Sequence, residues 1–479
     1  MTYASLARLL VCPHCRGELK FDPVTAKCLA CSRIYPGENG FPSLLPDPTE
    51  GPPSDHEVAL SVLVMTKNEG ENLRRALGQL VPVLQDLAVS HELVVMDGHS
   101  QDDTVAVAES FGARVFKQER PGYANAFREG LRLCKGEFIF TLDADGSHDP
   151  GFLRGLWPQR DSGELLIGSR YVPRGEAWMP LYRLLLSRVL NLFMGKVLSI
   201  PVRDLSSGFR LYRRSCLERI ELCGQDFDVL IEILVKLYLE GYRIREVPFL
   251  FKPREQGRSN VKLARFAVSY ARAAGRLWRE RNSILACDYD CRAYHSRIWP
   301  QRFWQRRRYD IIMGMLAGRS SSILDVGCGS GKVVQSLPGA VGCDFLARKL
   351  RYLRLTNPLL VHGSVFALPF RDQAFDSVIC SQVFEHIPNT EGAVSELLRV
   401  LKPGGQLILG APDFGSWQWP LIEKVYARVV PGGYAEEHIP PLTRDSIVAL
   451  VERLGATLLQ EDYILKAEWF GSFRKHPLT

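Results

Sequence analysis

The chain has no run of 18 apolar residues, so no membrane-spanning helix is expected. The nearest candidate, Leu181 to Ile200, is interrupted by Arg183, Arg188, Asn191 and Lys196 and reads as an interfacial or core helix. The opening stretch MTYASLARLLVC has neither a long apolar core nor a small-residue cleavage site, so no secretory leader is expected. Internal repeats and low-complexity tracts are absent. The composition, 46% hydrophobic and 24% charged, excludes long disorder and leaves enzymes open. Acidic residues are scarce between Phe251 and Asp310, where 5 Asp+Glu face 15 Lys+Arg in a chain of net charge +7. Such a belt suits phosphates, an anionic membrane surface or a solvated helix face.

What is present points to about three domains in 479 residues. The twelve cysteines suggest metal ligands or free thiols rather than disulfides. Cys12-Pro-His-Cys15 and Cys28-Leu-Ala-Cys31 are two CxxC knuckles in a segment too short to fold on its own core. Four thiolates so spaced suit a structural Zn²⁺, with His14 a bystander. The strings LLVCPHCRGELKFD and IYPGENGFPSLLP resemble the Trm112-like zinc ribbons. That resemblance implies that residues 1–50 pack on a methyltransferase domain.

After a Pro/Gly-rich linker, Pro46 to Glu57, strands and helices alternate, which implies a parallel sheet with helical crossovers. Ligands of such sheets sit at the carboxyl ends of the strands. Thr66-Lys67-Asn68-Glu69, Asp97 and Asp143/Asp145 all fall there. Strand alternation predicts that Asp143 and Asp145 point the same way, a pair of hard oxygen ligands suited to Mg²⁺ or Mn²⁺ on a diphosphate.

Six ordered motifs carry a second resemblance: SVLVMTKNEGENL, VVMDGHSQDDT, TLDADGSHDP, GSRYVPRG, DLSSGFRLYRR and EVPFLFKPREQGRSNVK. Together they resemble the dolichol-phosphate mannose synthase branch of the family-2 glycosyltransferases, which implies a GT-A fold over residues 58–285. The resemblance implies that Asn68 and Glu69 line a nucleotide pocket and that Asp97 reads the base or ribose. It places the metal and diphosphate at Asp143 and Asp145, completed around Ser147 and His148, with Arg170 and Arg210 gripping phosphates. Arg183, Ser187 and Asn191 share one helix face; by the resemblance Arg183 and Ser187 contact a lipid phosphate, and Arg258, Ser259 and Lys262 form a basic loop over the site. Met65-Thr66-Lys67 stands where such families have Pro-Thr-Tyr, which leaves GDP-mannose and a UDP-sugar both open as donor.

The run ILDVGCGSG places Gly327, Gly329 and Gly331 directly after a buried strand, a GxGxG spacing that disfavours a dinucleotide. Asp344, at the end of AVGCD, is suited to ribose hydroxyls. With HGSVFALPFRDQAFDSVICSQVFEHI and ELLRVLKPGGQLILGAP following, residues 298–479 resemble class I S-adenosylmethionine-dependent methyltransferases, with a Rossmann-like fold. The resemblance puts Asp325, Gly327 and Gly329 near the methionine end, Asp344 on the ribose and Ser364 with Val365 beside the adenine. Phe414, Trp417, Trp419 and Tyr434 are candidates for an acceptor wall or for packing, and His386 for a base or, as more often in this family, a structural residue.

The expected protein is therefore α/β, a GT-A domain and a Rossmann-like methyltransferase domain with a small N-terminal zinc ribbon, and a cytoplasmic enzyme peripheral on the inner face of a membrane. It would transfer a sugar from a nucleotide sugar to polyprenyl phosphate and a methyl group from S-adenosylmethionine to an acceptor not legible here, with no nucleic-acid partner. A saccharide or soluble natural product is the alternative sugar acceptor.

Overall fold

The computed structural model describes residues 6–22, 25–38, 40–46, 58–252, 263–316, 321–357, 359–429 and 442–477. Arg258, Ser259, Lys262 and Tyr434 lie outside them. The chain divides into two compact units, Ser54–Arg281 and Met1–Pro53 with Asn282–Thr479.

The Ser54–Arg281 unit is built on a seven-stranded sheet. Its order is Ile244–Pro248, Leu165–Ser169, Arg210–Arg213, Phe138–Asp143, Leu60–Thr66, His91–Asp97, Arg114–Lys117. The last four run parallel, and Arg210–Arg213 is antiparallel to both its neighbours. Leu60–Thr66 is buried almost throughout because helices cover both faces of a parallel sheet. Leu60, Val62 and Val64 pack with Leu73, Leu77 and Leu80 of the helix Gly70–Leu87. Leu63 faces the other way, toward Ala126 and Ile139.

The other unit holds an eleven-stranded sheet. The four ribbon strands, Leu19–Phe21, Thr25–Cys28, Ile34–Glu38 and Phe41–Leu44, come first. Leu360–Gly363, Val341–Asp344, Ile323–Val326, Phe375–Ser381 and Leu401–Pro412 follow in parallel, then Glu468–Lys475 and Ala456–Ile464 antiparallel. The cysteine-bearing segment is thus an added edge of this unit's parallel sheet, since Phe41–Leu44 pairs parallel with Leu360–Gly363. Leu6, Leu10, Tyr35 and Leu44 share one buried core with Leu324, Val361, Leu368 and Phe370, and Arg16 reaches Glu396 at 2.6 Å.

The basic belt Phe251 to Asp310 takes in the helix Tyr289–Tyr294 and runs into the helix Trp299–Leu316. Charge counting hid its apolar side: Ile311, Ile312, Met315 and Leu316 pack on Ile379, Ile408 and Phe470.

Candidate active sites

Three parallel strands of the first unit end side by side on polar residues. Thr66 is the register partner of Asp97, and Met65 is the partner of Asp143. Beyond them the loops lock each other. Asn68 adopts a left-handed φ of 53°, its N–H donates to Ser100 Oγ at 2.8 Å, and its Oδ1 accepts from the Gln101 N–H at 2.7 Å. Asp97 is buried and accepts the Ser100 N–H. Glu69 receives the Asn72 side-chain amide at 2.5 Å. Asp102 accepts the Gly70 N–H at 3.2 Å, which satisfies one of the open donors at that helix start. Asn68, Glu69 and Asp97 therefore stand on one rigid double loop.

Alternation does not carry through to Asp145, because the strand stops at Asp143 and Ala144–Gly146 turns. Gly146 has a φ of 77° in that turn. Asp145 Oδ1 accepts from the Ser147 N–H at 2.9 Å and the Ser147 hydroxyl at 2.5 Å. The Asp143 side chain is 37% exposed, whereas Asp145 is 8% exposed. Two carboxylates are too few to cage a hard cation. They fit one that takes its remaining oxygens from a diphosphate and water.

His148 differs from its expected place as a completing ligand. Its ring is buried, stacks on Phe209 at 4.4 Å, and accepts the Asp143 N–H at Nδ1. Burial pushes its pKa down, against the pull of Asp143 and Asp145, so the ring is neutral and positions the turn. Tyr123 was missed by sequence reasoning. Burial, and then the Asp143 charge, push its phenol well above the usual range, so it keeps its proton. A Cβ on Gly208 would lie 3.6 Å from that hydroxyl and 3.8 Å from Asp143 Oδ1, so this glycine keeps the space beside them open.

The two arginines expected to grip phosphate are already engaged. Arg170 is bidentate to Asp204, at 2.8 and 2.7 Å, and also donates to Ser206. Arg210 is fully buried and donates to the carbonyls of Ser207, Leu230 and Leu205 and to the Tyr212 hydroxyl. Motif membership could not reveal this, because it does not distinguish a guanidinium that binds ligand from one that ties loops together.

The helix Leu181–Leu198 is turned inside out relative to an ordinary surface helix. Ser187 accepts the Tyr171 hydroxyl at 2.7 Å, and buried Asn191 accepts the Leu205 N–H at 2.7 Å and donates to Ser206. Leu181, Leu185 and Leu192 face outward, 83, 65 and 61% exposed, beside Tyr182, Val189 and Phe193. Arg183 stands exposed at the open end of the inward polar stripe.

In the other unit the four cysteine sulfurs lie within 4.8 Å of one another, with Cys12 to Cys31 at 3.7 Å and Cys15 to Cys28 at 3.4 Å. A tetrahedral Zn–S₄ centre with bonds of about 2.3 Å needs sulfurs about 3.8 Å apart, so the cluster fits that ion. His14 is drawn off to Arg33.

A cavity of about 710 Å³ opens over the strand ends of this unit's sheet and is lined, among others, by Asp325, Gly327, Gly329, Gly331, Asp344, Ser364 and Val365. Gly327 has a φ of 70°, and a Cβ there would strike Val383 at 2.2 Å. Asp344 accepts the Gly329 N–H and the Leu346 N–H, each at 2.7 Å. Burial, then the neighbouring Asp344, push Asp325 up to about 8. Sequence reasoning missed Asp290, which roofs the glycine loop. It accepts the Ser330 N–H at 3.0 Å and pairs with Lys349 at 3.0 Å. Of the aromatics named as acceptor-wall candidates, Phe414, Trp417 and Trp419 do not line the cavity, whereas Tyr294, Gln305, Arg308 and Tyr309 do. Trp419 is buried against Phe414, and Trp417 is exposed.

Comparison with known proteins agrees with this division. Residues 61–221 match the Glycosyl transferase family 2 description, and residues 324–409 match a Methyltransferase domain. Polyprenol monophosphomannose synthase of Mycolicibacterium smegmatis is 35% identical over 245 residues, 47% of this chain and 90% of that protein. Dolichol-phosphate mannosyltransferase of Pyrococcus furiosus is 31% identical over 236 residues, 47% of this chain and 65% of its own length. Among solved structures, glucosyl-3-phosphoglycerate synthase from Mycobacterium tuberculosis, in complex with Mn²⁺ and UDP, aligns at 20% identity with a TM-score of 0.38 over 47% of this chain and 80% of that one. The chain belongs to the polyprenol monophosphomannose synthase family of family-2 glycosyltransferases, to which it adds a methyltransferase domain and an N-terminal cysteine cluster.

Proposed function

We propose that residues 58–285 transfer a sugar from a nucleotide sugar to a polyprenyl phosphate at a membrane surface, and that residues 298–479 transfer a methyl group from S-adenosylmethionine. The observation that carries the lipid acceptor is the helix Leu181–Leu198, with Ser187 and Asn191 turned inward and leucines outward. No described helix is long and apolar enough to cross a membrane. An outward leucine face flanked by Arg183, Arg188 and Lys196 suits burial in the boundary layer of an anionic leaflet. We place the enzyme on the inner face, in the cytoplasm. The mannose synthase relatives support a mannosyl donor, with GDP-mannose and a UDP-sugar as the nucleotides to compare.

A polyprenyl phosphate is an anion with a second pKa of about 6, so its oxygen attacks without a protein base. Arg183 and Ser187 would hold that phosphate and aim it along the polar stripe. Asn68, Glu69 and Asp97 would seat the nucleotide on the double loop. Asp143 and Asp145 would hold Mg²⁺ or Mn²⁺, which supplies positive charge for the departing diphosphate. Arg170 and His148 position the loops that carry these groups, and Arg258 with Lys262 is assigned to the basic loop. In-line attack inverts the anomeric centre. Zn²⁺ at Cys12, Cys15, Cys28 and Cys31 is structural, and Asp325, Gly327, Gly329, Gly331, Asp344, Ser364 and Val365 would hold S-adenosylmethionine.

The test is radiolabel from GDP-mannose or UDP-glucose, with a short polyprenyl phosphate, recovered in an organic-solvent phase. Asp143→Asn with Asp145→Asn should lower it at least 100-fold with the circular dichroism unchanged. Undiminished transfer by that variant would sink the assignment, and label confined to water-soluble glycan would make a saccharide the acceptor.

A further inference from the structure

We propose that the wall of the methyltransferase cavity formed by residues 284–312 and 381–388 is an acceptor subsite for a neutral, hydroxyl-rich molecule, a glycoside, methylated on oxygen with His386 taking the proton. This rests on the methyl-transfer reading above and names its acceptor.

The cavity has two chemically different sides. The side at the ends of Ile323–Val326, Val341–Asp344 and Leu360–Gly363 carries Asp325 and Asp344, the candidates for S-adenosylmethionine. The opposite wall holds Tyr294, Gln305, Tyr309, Ser381, Gln382 and His386, set among Ile284, Leu285, Ile312 and Ile387. Arg308 is the cation this wall gives to the described lining, and Glu468 neutralises it bidentately, at 2.7 and 2.9 Å; Lys332 and Lys349 line the glycine-loop side, where Lys349 pairs with Asp290 at 3.0 Å. A phosphate, a carboxylate or a nucleic acid would meet no uncommitted charge on that wall. Amides, phenols and a hydroxyl remain, in the proportion that suits a polyol with apolar C–H faces.

Two groups there are buried without partners. Ser381 Oγ and Gln382 Nε2 have no hydrogen bond within the protein. Such atoms cost stability; both are closed to water here, so a ligand in the cavity meets them only after a small shift of this wall. The Gln382 amide is not free to turn: Arg308 Nη2 can only donate, and it does so to Gln382 Oε1 at 3.2 Å, which leaves Nε2 as the unmet donor. The backbone supports the same reading. Gln382 sits at a φ of 60°, a conformation a non-glycine residue keeps only where its surroundings impose it. The Gln382 N–H donates to Gly410 O at 2.8 Å, which holds it there.

The step balances. A lone pair of the acceptor hydroxyl oxygen forms the new O–CH₃ bond as the methyl–sulfonium bond breaks. The sulfur keeps that electron pair, leaving S-adenosylhomocysteine. The hydroxyl proton passes to the His386 imidazole and then to water, so an ether results with no other reactant.

The full-length protein without cofactor is titrated with methyl α-D-mannopyranoside and methyl α-D-glucopyranoside and followed by saturation-transfer NMR, with GDP and UDP present to occupy the other unit. The expected result is a glycoside signal in wild type that falls at least tenfold in Gln382→Ala and several-fold in Tyr309→Phe, a variant that removes one hydroxyl and keeps the ring. With S-adenosylmethionine added, the product should be a methyl ether stable to alkali. His386→Ala should lower turnover about 100-fold, with partial rescue by imidazole and glycoside binding weakened less than in Gln382→Ala. Glycoside binding insensitive to both cavity variants, or transfer to a sugar phosphate, a phenol or a carboxylate in preference, would overturn the assignment. Failure of S-adenosylhomocysteine to bind wild type would overturn methyl transfer itself, whereas glycosides failing while it binds would overturn the acceptor alone.

Discussion

Ser43 Oγ and His362 Nδ1 lie 2.7 Å apart, and the same two residues are register partners across the seam between the ribbon and the methyltransferase sheet. His362 Nε2 lies 2.9 Å from Phe345 O. A carbonyl can only accept, so Nε2 carries the proton, and in the neutral ring Nδ1 accepts from Ser43. One imidazole thus joins the ribbon's edge strand to the residue after Asp344. Stripping metal with a chelator, or making Cys12→Ser with Cys28→Ser, should loosen that strand and the core shared by Leu10, Leu44 and Phe370. The expected outcome is a melting temperature for this unit lower by about 5–10 °C, from a loss of a few kcal/mol. Weaker S-adenosylhomocysteine binding should accompany it. Scanning calorimetry with and without chelator checks this, and an unshifted transition would mean that the seam is incidental.

Arg210 and Arg183 should respond oppositely to substitution. Arg210→Lys leaves several buried acceptors short of a donor, at about 1–3 kcal/mol for each one orphaned. Urea denaturation should therefore show a loss of at least about 3 kcal/mol. Arg183→Ala, at an exposed position, should change stability by about 0.5 kcal/mol or less and instead raise the KM for polyprenyl phosphate. Wild-type stability in Arg210→Lys would contradict the structural role.

Those two arginines also mark what could be read from the sequence. Thr66, Asp97 and Asp143 were legible because each closes an apolar run, and the run's length fixes where a strand ends. The course of Asp145 was not, because it lies in a turn that alternation cannot describe. Asp290 belongs to no motif and sits in a stretch dominated by arginine, where net charge reads as solvation. Its role rests on Ser330 and Lys349, forty and fifty-nine residues away, contacts that only the fold supplies. Phe414, Trp417 and Trp419 stand out in the sequence as aromatics, yet the fold brings Tyr294 and Tyr309 to the cavity from before the glycine loop.

The helix Leu181–Leu198 yields a direct test of membrane association. Leu185→Ser with Leu192→Ser replaces two outward side chains that are mostly exposed, so folding should be unaffected. Burying a leucine in the interfacial layer is worth about 1.5 kcal/mol or more. Co-sedimentation with vesicles containing anionic lipid should therefore fall at least tenfold. Equal sedimentation of the variant and wild type would remove this face from the membrane contact.

Glu385 should make this unit less stable as pH rises. The residue is 1% exposed, and neither carboxyl oxygen has a hydrogen-bond partner in another residue. Burial, with Glu468 adding to it and Arg308 opposing, pushes its pKa from the ordinary 4.5 to about 8. Between those values the folded state binds the proton and the unfolded state does not. The contribution is therefore complete below pH 4.5 and is lost as pH rises through about 8. Glu385→Gln keeps the shape of the neutral acid and removes the titration. Urea denaturation at pH 5 and pH 8 should show a shallower fall for the variant, which should be the more stable protein at pH 8 by up to a few kcal/mol, at about 1.4 kcal/mol per pKa unit. Asp325, also raised to about 8, has the same sign and remains in the variant, so the slope should shrink rather than vanish. Identical slopes would mean that Glu385 is ionised in the folded protein, and that water or a rearranged Arg308 reaches it beneath the His386 loop.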